Sequence, residues 1–87
     1  MVEALRDPKM RVVGLKQTLR ALQQDRVAVV YLANDIDDHI QRKIGVACAE
    51  RGVEIRPAGL GQRELGSRCR IEVGAAMVAV LKTNVKL

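Results

Sequence analysis

Aromatic side chains are almost missing from this 87-residue sequence, which contains one tyrosine, Tyr31, and neither phenylalanine nor tryptophan. The hydrophobic core must therefore be built from aliphatic side chains. Nucleic-acid-binding modules that stack bases on interleaved aromatic residues, such as the RRM and the OB-fold, are excluded for the same reason. A chain of this length also leaves little room for an enclosed catalytic pocket.

Cysteine and long apolar runs are scarce as well. The two cysteines, Cys48 and Cys69, cannot form a disulfide framework, and their spacing matches no zinc motif. We expect both to be reduced and buried in a cytoplasmic protein. Neither a signal-peptide pattern nor an apolar run of about 18 residues is present, so we expect a protein that neither spans nor crosses a membrane.

Residues that could support catalysis or bind a metal are few. The single histidine, His39, lies near Asp35 and Asp38 but has no evident positioned partner, so we do not expect an enzyme. Asp35, Asp37 and Asp38 lack the loop spacing of a calcium site and fit better as helix-capping residues. The glycines match no phosphate-binding fingerprint. We therefore expect neither a metal nor a cofactor.

Positive charge is in excess and is unevenly distributed. The formal net charge is +5. Residues 1–50 carry eight basic and seven acidic side chains, a net of +1, whereas residues 51–87 carry seven and three, a net of +4. Such an excess is typical of proteins with a polyanionic partner, but charge alone leaves nucleic-acid binding and general solubility equally open.

The hydrophobic pattern alternates between strand-like and helix-like segments. Val27 to Ala33 is an unbroken apolar run typical of a strand covered on both faces. Asn34 or Asp35 is predicted to cap the helix that follows, which Gly52 ends. The predicted strands are 11–13, 27–33, 53–56 and 77–81, and the predicted helices are 14–24, 35–52 and 62–69. This order predicts an α/β protein, a three-layer α/β/α sandwich around a mixed sheet, in a single domain over residues 1–87.

The start of the first helix is the best candidate for a binding site. Gly14 forms a turn there, and Lys16, Gln17 and Arg20 follow it. A helix N-terminus presents unpaired backbone donors, and these side chains can donate to guanine or pair with a base edge. The group suits RNA, although a solvated polar helix face explains the same pattern.

Three segments resemble the L7Ae and L30e family of ribosomal proteins, and especially its short bacterial members. They are VGLKQTLRA at 13–21, ANDID at 33–37 and ELGSRCRIEVGAAMVAV at 64–80. The resemblance covers about residues 9–82, and the order and spacing of the three segments make it specific. It implies a four-stranded mixed sheet in an α/β/α sandwich, and a protein that binds kink-turn RNA rather than an enzyme.

The resemblance also implies roles for individual residues. The helix after the glycine turn would lie in the major groove and read tandem sheared G·A pairs. Asp37 would line a pocket for the flipped-out nucleotide, and a loop near residue 72 would pack on that nucleotide and on the backbone. The implied RNA-binding residues are Gly14, Lys16, Gln17, Arg20, Asp37, Arg70, Ile71, Glu72, Val73 and Gly74.

Three residues depart from the family pattern. Leu15 replaces a small or hydroxyl residue, Arg68 replaces an alanine, and Arg70 replaces a glycine before the loop. If that glycine is left-handed, Arg70 is strained by about 1–2 kcal/mol. Alternatively, Arg70 adds a phosphate contact.

Taken together, the residues and the resemblance predict a protein that stabilises kink-turns in ribosomal or riboswitch RNA and is monomeric without RNA. The alternative is a protein-interaction module of the same fold.

Overall fold

The computed structural model describes residues 8–69 and 74–82, and alternates strands with helices along them. The elements are β1 (Arg11–Val13), α1 (Leu15–Gln23), β2 (Val27–Leu32), α2 (Asp38–Arg51), β3 (Glu54–Pro57), α3 (Gln62–Arg68) and β4 (Met77–Leu81). Each predicted strand and helix is present, and most boundaries agree within one residue. The exception is the start of α2.

The four strands form one mixed sheet in the order β1-β4-β2-β3. The last strand, β4, lies between β1 and β2 and is antiparallel to both, whereas β3 is parallel to β2. In this arrangement β1, β2 and β3 end, and β4 begins, at the same edge of the sheet. We call this the upper edge; Val13, Leu32, Pro57 and Met77 mark it.

Helices cover both faces of the sheet. On one face, α1 and α2 contact each other and bury Leu22, Ile44 and Cys48 against Met77 and Ala79. On the other face, α3 buries its own apolar side chains against the sheet; that core includes Leu65, Cys69, Tyr31 and Val78. Alternate residues of β4 therefore serve different cores, as the two-residue period of a strand requires. The predicted three-layer α/β/α sandwich with a four-stranded mixed sheet is confirmed.

An irregularity in β2 modifies the predicted strand. The register against β4 shifts between Val27 and Val29, so Ala28 is an extra residue and is exposed. Because of this bulge, Val27 and Val30 lie on the same face of the sheet although three residues separate them. The sequence does not reveal the bulge, because every residue of the run is apolar and shows no alternation between the two faces of the strand.

The predicted cap of α2 is wrong. The cap is Asp37, whose Oδ1 accepts a hydrogen bond from the His39 backbone N–H at 2.8 Å. Of the three aspartates predicted as helix-capping residues, Asp37 caps α2 and Asp38 lies in its first turn. Asp35 lies outside the helix because its carboxylate bonds to Gln62 instead. The other end agrees with the prediction: Gly52 adopts φ 66°, a left-handed conformation that ends helices.

Both cysteines are free and buried, as predicted. Burial raises the pKa of the Cys48 thiol and of the Cys69 thiol, and for Cys69 the nearby Arg11 charge opposes part of the shift. A raised pKa keeps both thiols protonated and unreactive near neutral pH. Among the helices of the described residues, none is long and apolar enough to cross a membrane.

Thr18 generates a stability prediction, because it is fully buried and its hydroxyl has no hydrogen-bond partner among the described residues. Replacing a buried, unpaired hydroxyl with a methyl group removes a desolvation cost. We expect Thr18→Val to stabilise the protein by about 1 kcal/mol, which raises Tm by about 4–8 °C in a domain of this size. Thr18→Ser, which keeps the hydroxyl and loses the methyl group, should lower Tm. A destabilised Thr18→Val protein in thermal unfolding would contradict the absence of a partner.

Candidate nucleic-acid interface

The turn between β1 and α1 depends on a glycine. Gly14 has φ 92° and ψ 164°, a combination that is essentially restricted to glycine. Its N–H donates to the Met77 carbonyl at 2.9 Å, which joins the turn to the start of β4. A Cβ at this position would meet no atom within 4 Å, so the requirement for glycine is conformational and not steric.

The first turn of α1 has no side-chain cap, because its cap residue is Gly14. The first amides of the helix are thus available to a ligand, and the helix dipole favours a negative one. Lys16, Gln17 and Arg20 are all exposed. Arg20 follows Lys16 by four residues and Gln17 by three, so the three side chains form one surface, which we call the α1 polar face. The structure brings these predicted residues together.

Asp37 lies at the same upper edge, because α2 begins shortly after β2 ends there. It is exposed, and its carboxylate caps α2 through His39. The predicted role in lining a nucleotide pocket is not tested by this bond, but capping fixes where the carboxylate lies. An Asp37 carboxylate held in this way is positioned before any ligand arrives.

Gly74 is the remaining predicted residue that the structure describes. It is exposed and precedes β4, and a Cβ on it would lie 3.3 Å from the Gln62 carbonyl oxygen. The backbone of Gly74 therefore approaches α3 closely. Arg70, Ile71, Glu72 and Val73 lie outside the described residues. Gly14, Asp37 and Gly74, which are far apart in sequence, each lie in a segment next to a strand end at the upper edge.

Two hydrogen-bonded anchors, one at each end of α3, were not predicted. The first joins Asp35 to Gln62: Asp35 Oδ1 accepts from the Gln62 backbone N–H at 2.9 Å, and the Asp35 carbonyl accepts from Gln62 Nε2 at 3.2 Å. The two residues are 27 positions apart. Local sequence patterns carry no signal for such a pair.

The second anchor is at the other end of α3. The Arg11 side chain is partly buried, and its Nη2 donates to the carbonyl of Cys69, the C-cap residue of α3, at 2.8 Å. A cation beside the last carbonyls of a helix compensates the negative end of the helix dipole. Arg11 belongs to β1, so only the folded sheet brings it to α3.

Two basic side chains outside the α1 polar face form ion pairs with carboxylates. Arg56 Nε donates a hydrogen bond to Glu54 Oε2 at 2.7 Å. This bond holds the pKa of the Glu54 carboxyl below its ordinary value. Both side chains are more than half exposed, so the pair contributes little stability. Lys82 pairs with Asp25 at 3.2 Å. By contrast, Lys16 and Arg20 have no acidic partner among the described residues.

Metal binding gains no support from the described part of the chain. Residues 8–69 and 74–82 contain no group of three or more histidine, cysteine or acidic side chains placed to hold a metal ion. The predicted site residues that the structure describes at the upper edge supply instead backbone donors, two cations, an amide and the Asp37 carboxylate. These groups are suited to hydrogen bonding with a polyanion that also carries base edges.

The sequence matches a known protein family. A sequence model of the family described as "Ribosomal protein L7Ae/L30e/S12e/Gadd45 family" matches residues 1–86. A protein of Caldanaerobacter subterraneus subsp. tengcongensis, named an RNA-binding protein, is 47% identical over 72 residues, which are 83% of this chain and 87% of that protein. The RNA-binding protein YbxF of Geobacillus stearothermophilus is 39% identical over 82% of this chain and 85% of its own length.

Two solved structures share the fold. A protein of unknown function from Bacillus halodurans superposes with a TM-score of 0.81 at 21% identity, covering 92% of this chain and 78% of that one. The Giardia lamblia 15.5kD RNA binding protein superposes with a TM-score of 0.76 at 22% identity, covering 87% of this chain and 63% of that one. At these identities the likeness establishes the fold alone.

The glycine turn generates a paired prediction. Gly14→Ala should destabilise the protein by about 1–3 kcal/mol, because alanine is strained at this φ and ψ. The control is Gly45→Ala: Gly45 lies inside α2, and a Cβ there also meets no atom within 4 Å. That change should stabilise by about 0.5–1 kcal/mol, because glycine is unfavourable inside a helix. Chemical denaturation of both variants measures the effects; similar shifts in both would refute the conformational explanation.

Proposed function

Because the chain belongs to the ribosomal protein L7Ae/L30e/S12e/Gadd45 family, we propose that it binds RNA and stabilises kink-turns, internal loops with tandem sheared G·A pairs. One observation carries the proposal. The α1 polar face, at a helix start without a side-chain cap, lies at the same sheet edge as Asp37 and Gly74. The names of the curated relatives from Caldanaerobacter and Geobacillus support RNA as the partner.

The α1 polar face offers two kinds of contact. Lys16 and Gln17 lie in the first helical turn, where their side chains reach beyond the backbone amides. Lysine donates to guanine O6 and N7, and the amide of glutamine both donates and accepts on a base edge. Arg20, one turn further, suits a phosphate, because guanidinium matches its geometry. Base contacts specify the RNA and phosphate contacts position it.

The proposed mechanism is a shift in RNA population. A kink-turn exists in extended and bent forms, and a protein that binds only the bent form favours it by its differential affinity. A rigid protein surface suits this task, because the free-energy cost of ordering the protein's binding residues is then not added to the cost of bending the RNA. The strand-anchored Gly14 turn and the capped start of α2 meet that condition.

The alternative of a protein-interaction module has less support. Among the described residues, one large hydrophobic side chain is exposed: that of Val46, with 61% of its surface accessible. A single apolar residue does not form a docking patch. Copurified nucleic acid that nuclease removes would favour RNA binding over an acidic protein partner.

Salt dependence tests the electrostatic part of the proposal. If about three to five basic side chains contact phosphates, the logarithm of the binding constant should fall with the logarithm of salt concentration at a slope of about 2–4 in magnitude. The measurement is a titration of labelled kink-turn RNA at several salt concentrations. An affinity independent of salt would exclude phosphate contacts as the basis of binding.

Base recognition should depend on the α1 polar face. Lys16→Ala and Gln17→Ala should each cost about 1–3 kcal/mol of binding free energy on RNA with tandem G·A pairs. The same variants should lose little on RNA in which Watson–Crick pairs replace the G·A pairs, because that RNA offers no matching base edges. Affinities of wild type and variants for both RNAs, at one salt concentration, give the comparison.

Arg51→Ala is the matched control for charge. Arg51 is exposed in the last turn of α2, which starts at the upper edge and spans about 20 Å, so Arg51 lies near the opposite edge. Its loss should change both affinities slightly and equally. Equal losses on both RNAs for Lys16→Ala and Gln17→Ala would mean that these residues act only as charges, and base recognition by α1 would be wrong.

A further inference from the structure

We propose that Asp35 is a positioning residue for RNA recognition. It contributes by holding Gln62, from which a series of backbone hydrogen bonds leads through Ala75 and Met77 to the Gly14 turn, and not by contacting RNA. The inference rests on the proposed function and deepens it, since it assigns a role to a residue outside the α1 polar face.

Asp35 supplies a cap that α3 lacks locally. The cap residue of α3 is Gly61, which has no side chain to bond the first amides. The Asp35 carboxylate, from the loop after β2, accepts the Gln62 N–H in its place. The fit is close: a Cβ on Gly61 would lie 3.1 Å from Asp35 Oδ2. A carboxylate at a helix start is stabilised both by the hydrogen bond and by the helix dipole.

Gln62, which Asp35 caps, is in turn hydrogen-bonded to the segment just before β4 at the upper edge. The Gln62 carbonyl accepts from the Ala75 N–H at 2.8 Å, just before β4. Two residues later, the Met77 carbonyl accepts from the Gly14 N–H at 2.9 Å. A continuous path of backbone therefore runs from the Asp35 carboxylate to the turn that starts α1.

The Asp35 carboxylate is already engaged within the protein, because its Oδ1 accepts the Gln62 N–H. A carboxylate at an interface with phosphates repels them, so removal of its charge alone should strengthen binding. Loss of positioning should weaken binding instead. The two effects have opposite signs, and a pair of substitutions separates them.

The decisive comparison is Asp35→Ala against Asp35→Asn. Both remove the negative charge, but asparagine keeps an Oδ1 that can accept the Gln62 N–H, whereas alanine does not. We expect Asp35→Ala to weaken binding to kink-turn RNA about fivefold, the equivalent of one hydrogen bond of ordinary net strength. Asp35→Asn should bind at least as tightly as wild type. On RNA without G·A pairs, neither variant should lose affinity.

Asp38→Ala is the matched control, because Asp38 is an exposed aspartate three residues away in the first turn of α2. It removes the same charge without touching the Gln62 cap, so it should not weaken binding. Gly61→Ala provides a second variant, because its Cβ, 3.1 Å from Asp35 Oδ2, would shift the carboxylate slightly and leave its charge in place. It should weaken binding to kink-turn RNA, though less than Asp35→Ala.

Amide hydrogen exchange of the free protein supplies a readout that does not depend on RNA. Asp35→Ala should reduce protection at Gln62 and Ala75, and Asp35→Asn should restore it. Unchanged affinity of Asp35→Ala for kink-turn RNA, equal losses on both RNAs, or equal weakening by Asp35→Asn would overturn the positioning role. If wild type itself does not distinguish the two RNAs, the proposed function fails, and unchanged protection in Asp35→Ala would then separately refute the path from Asp35.

Discussion

The placement of β4 between β1 and β2 is the constraint on which the rest of the structure depends. Its antiparallel pairing to both neighbours makes its start meet the ends of β1 and β2. The backbone carbonyls of Ala76 and Met77 accept hydrogen bonds from Ala33 and Gly14 there. Loops from distant parts of the sequence are thus held side by side at the upper edge, and every candidate binding residue that the structure describes is positioned by one of them or by the helix that follows it.

Burial supports this central position of β4. Met77, Val78 and Ala79 have no exposed surface, and they alternate between the core under α1 and α2 and the core under α3. A fully buried methionine or valine side chain contributes about 1.5–3 kcal/mol relative to exposure, so Met77 and Val78 stabilise the strand from its two faces. The polar groups at the edge can then remain exposed without weakening the core. Binding residues on loops and helix starts that a rigid sheet positions are a common solution for recognition.

Most of the secondary structure was predictable because its signals are local. The spacing of Leu15, Leu19 and Leu22 by four and three residues in α1, the apolar run of β2 and the glycine at the end of α2 each report the conformation of their own segment. The cap of α2 was predicted at the wrong residue, since Asn34, Asp35 and Asp37 all have side chains suited to capping. In the folded chain Asp35 instead accepts a hydrogen bond from the start of α3, and Asp37 caps α2.

The sequence by itself determined the α/β class, the aliphatic core and the α1 polar face, because periodicity, composition and the glycine turn act over a few residues. Through family resemblance it also predicted a set of binding residues, whereas the residue pattern at Gly14 alone left a solvated helix face as an alternative. Only the tertiary structure decided which distant residues are bonded to each other around α3. Asp35 with Gln62, and Arg11 with Cys69, are 27 and 58 positions apart, and their partners are set by strand order and not by sequence spacing.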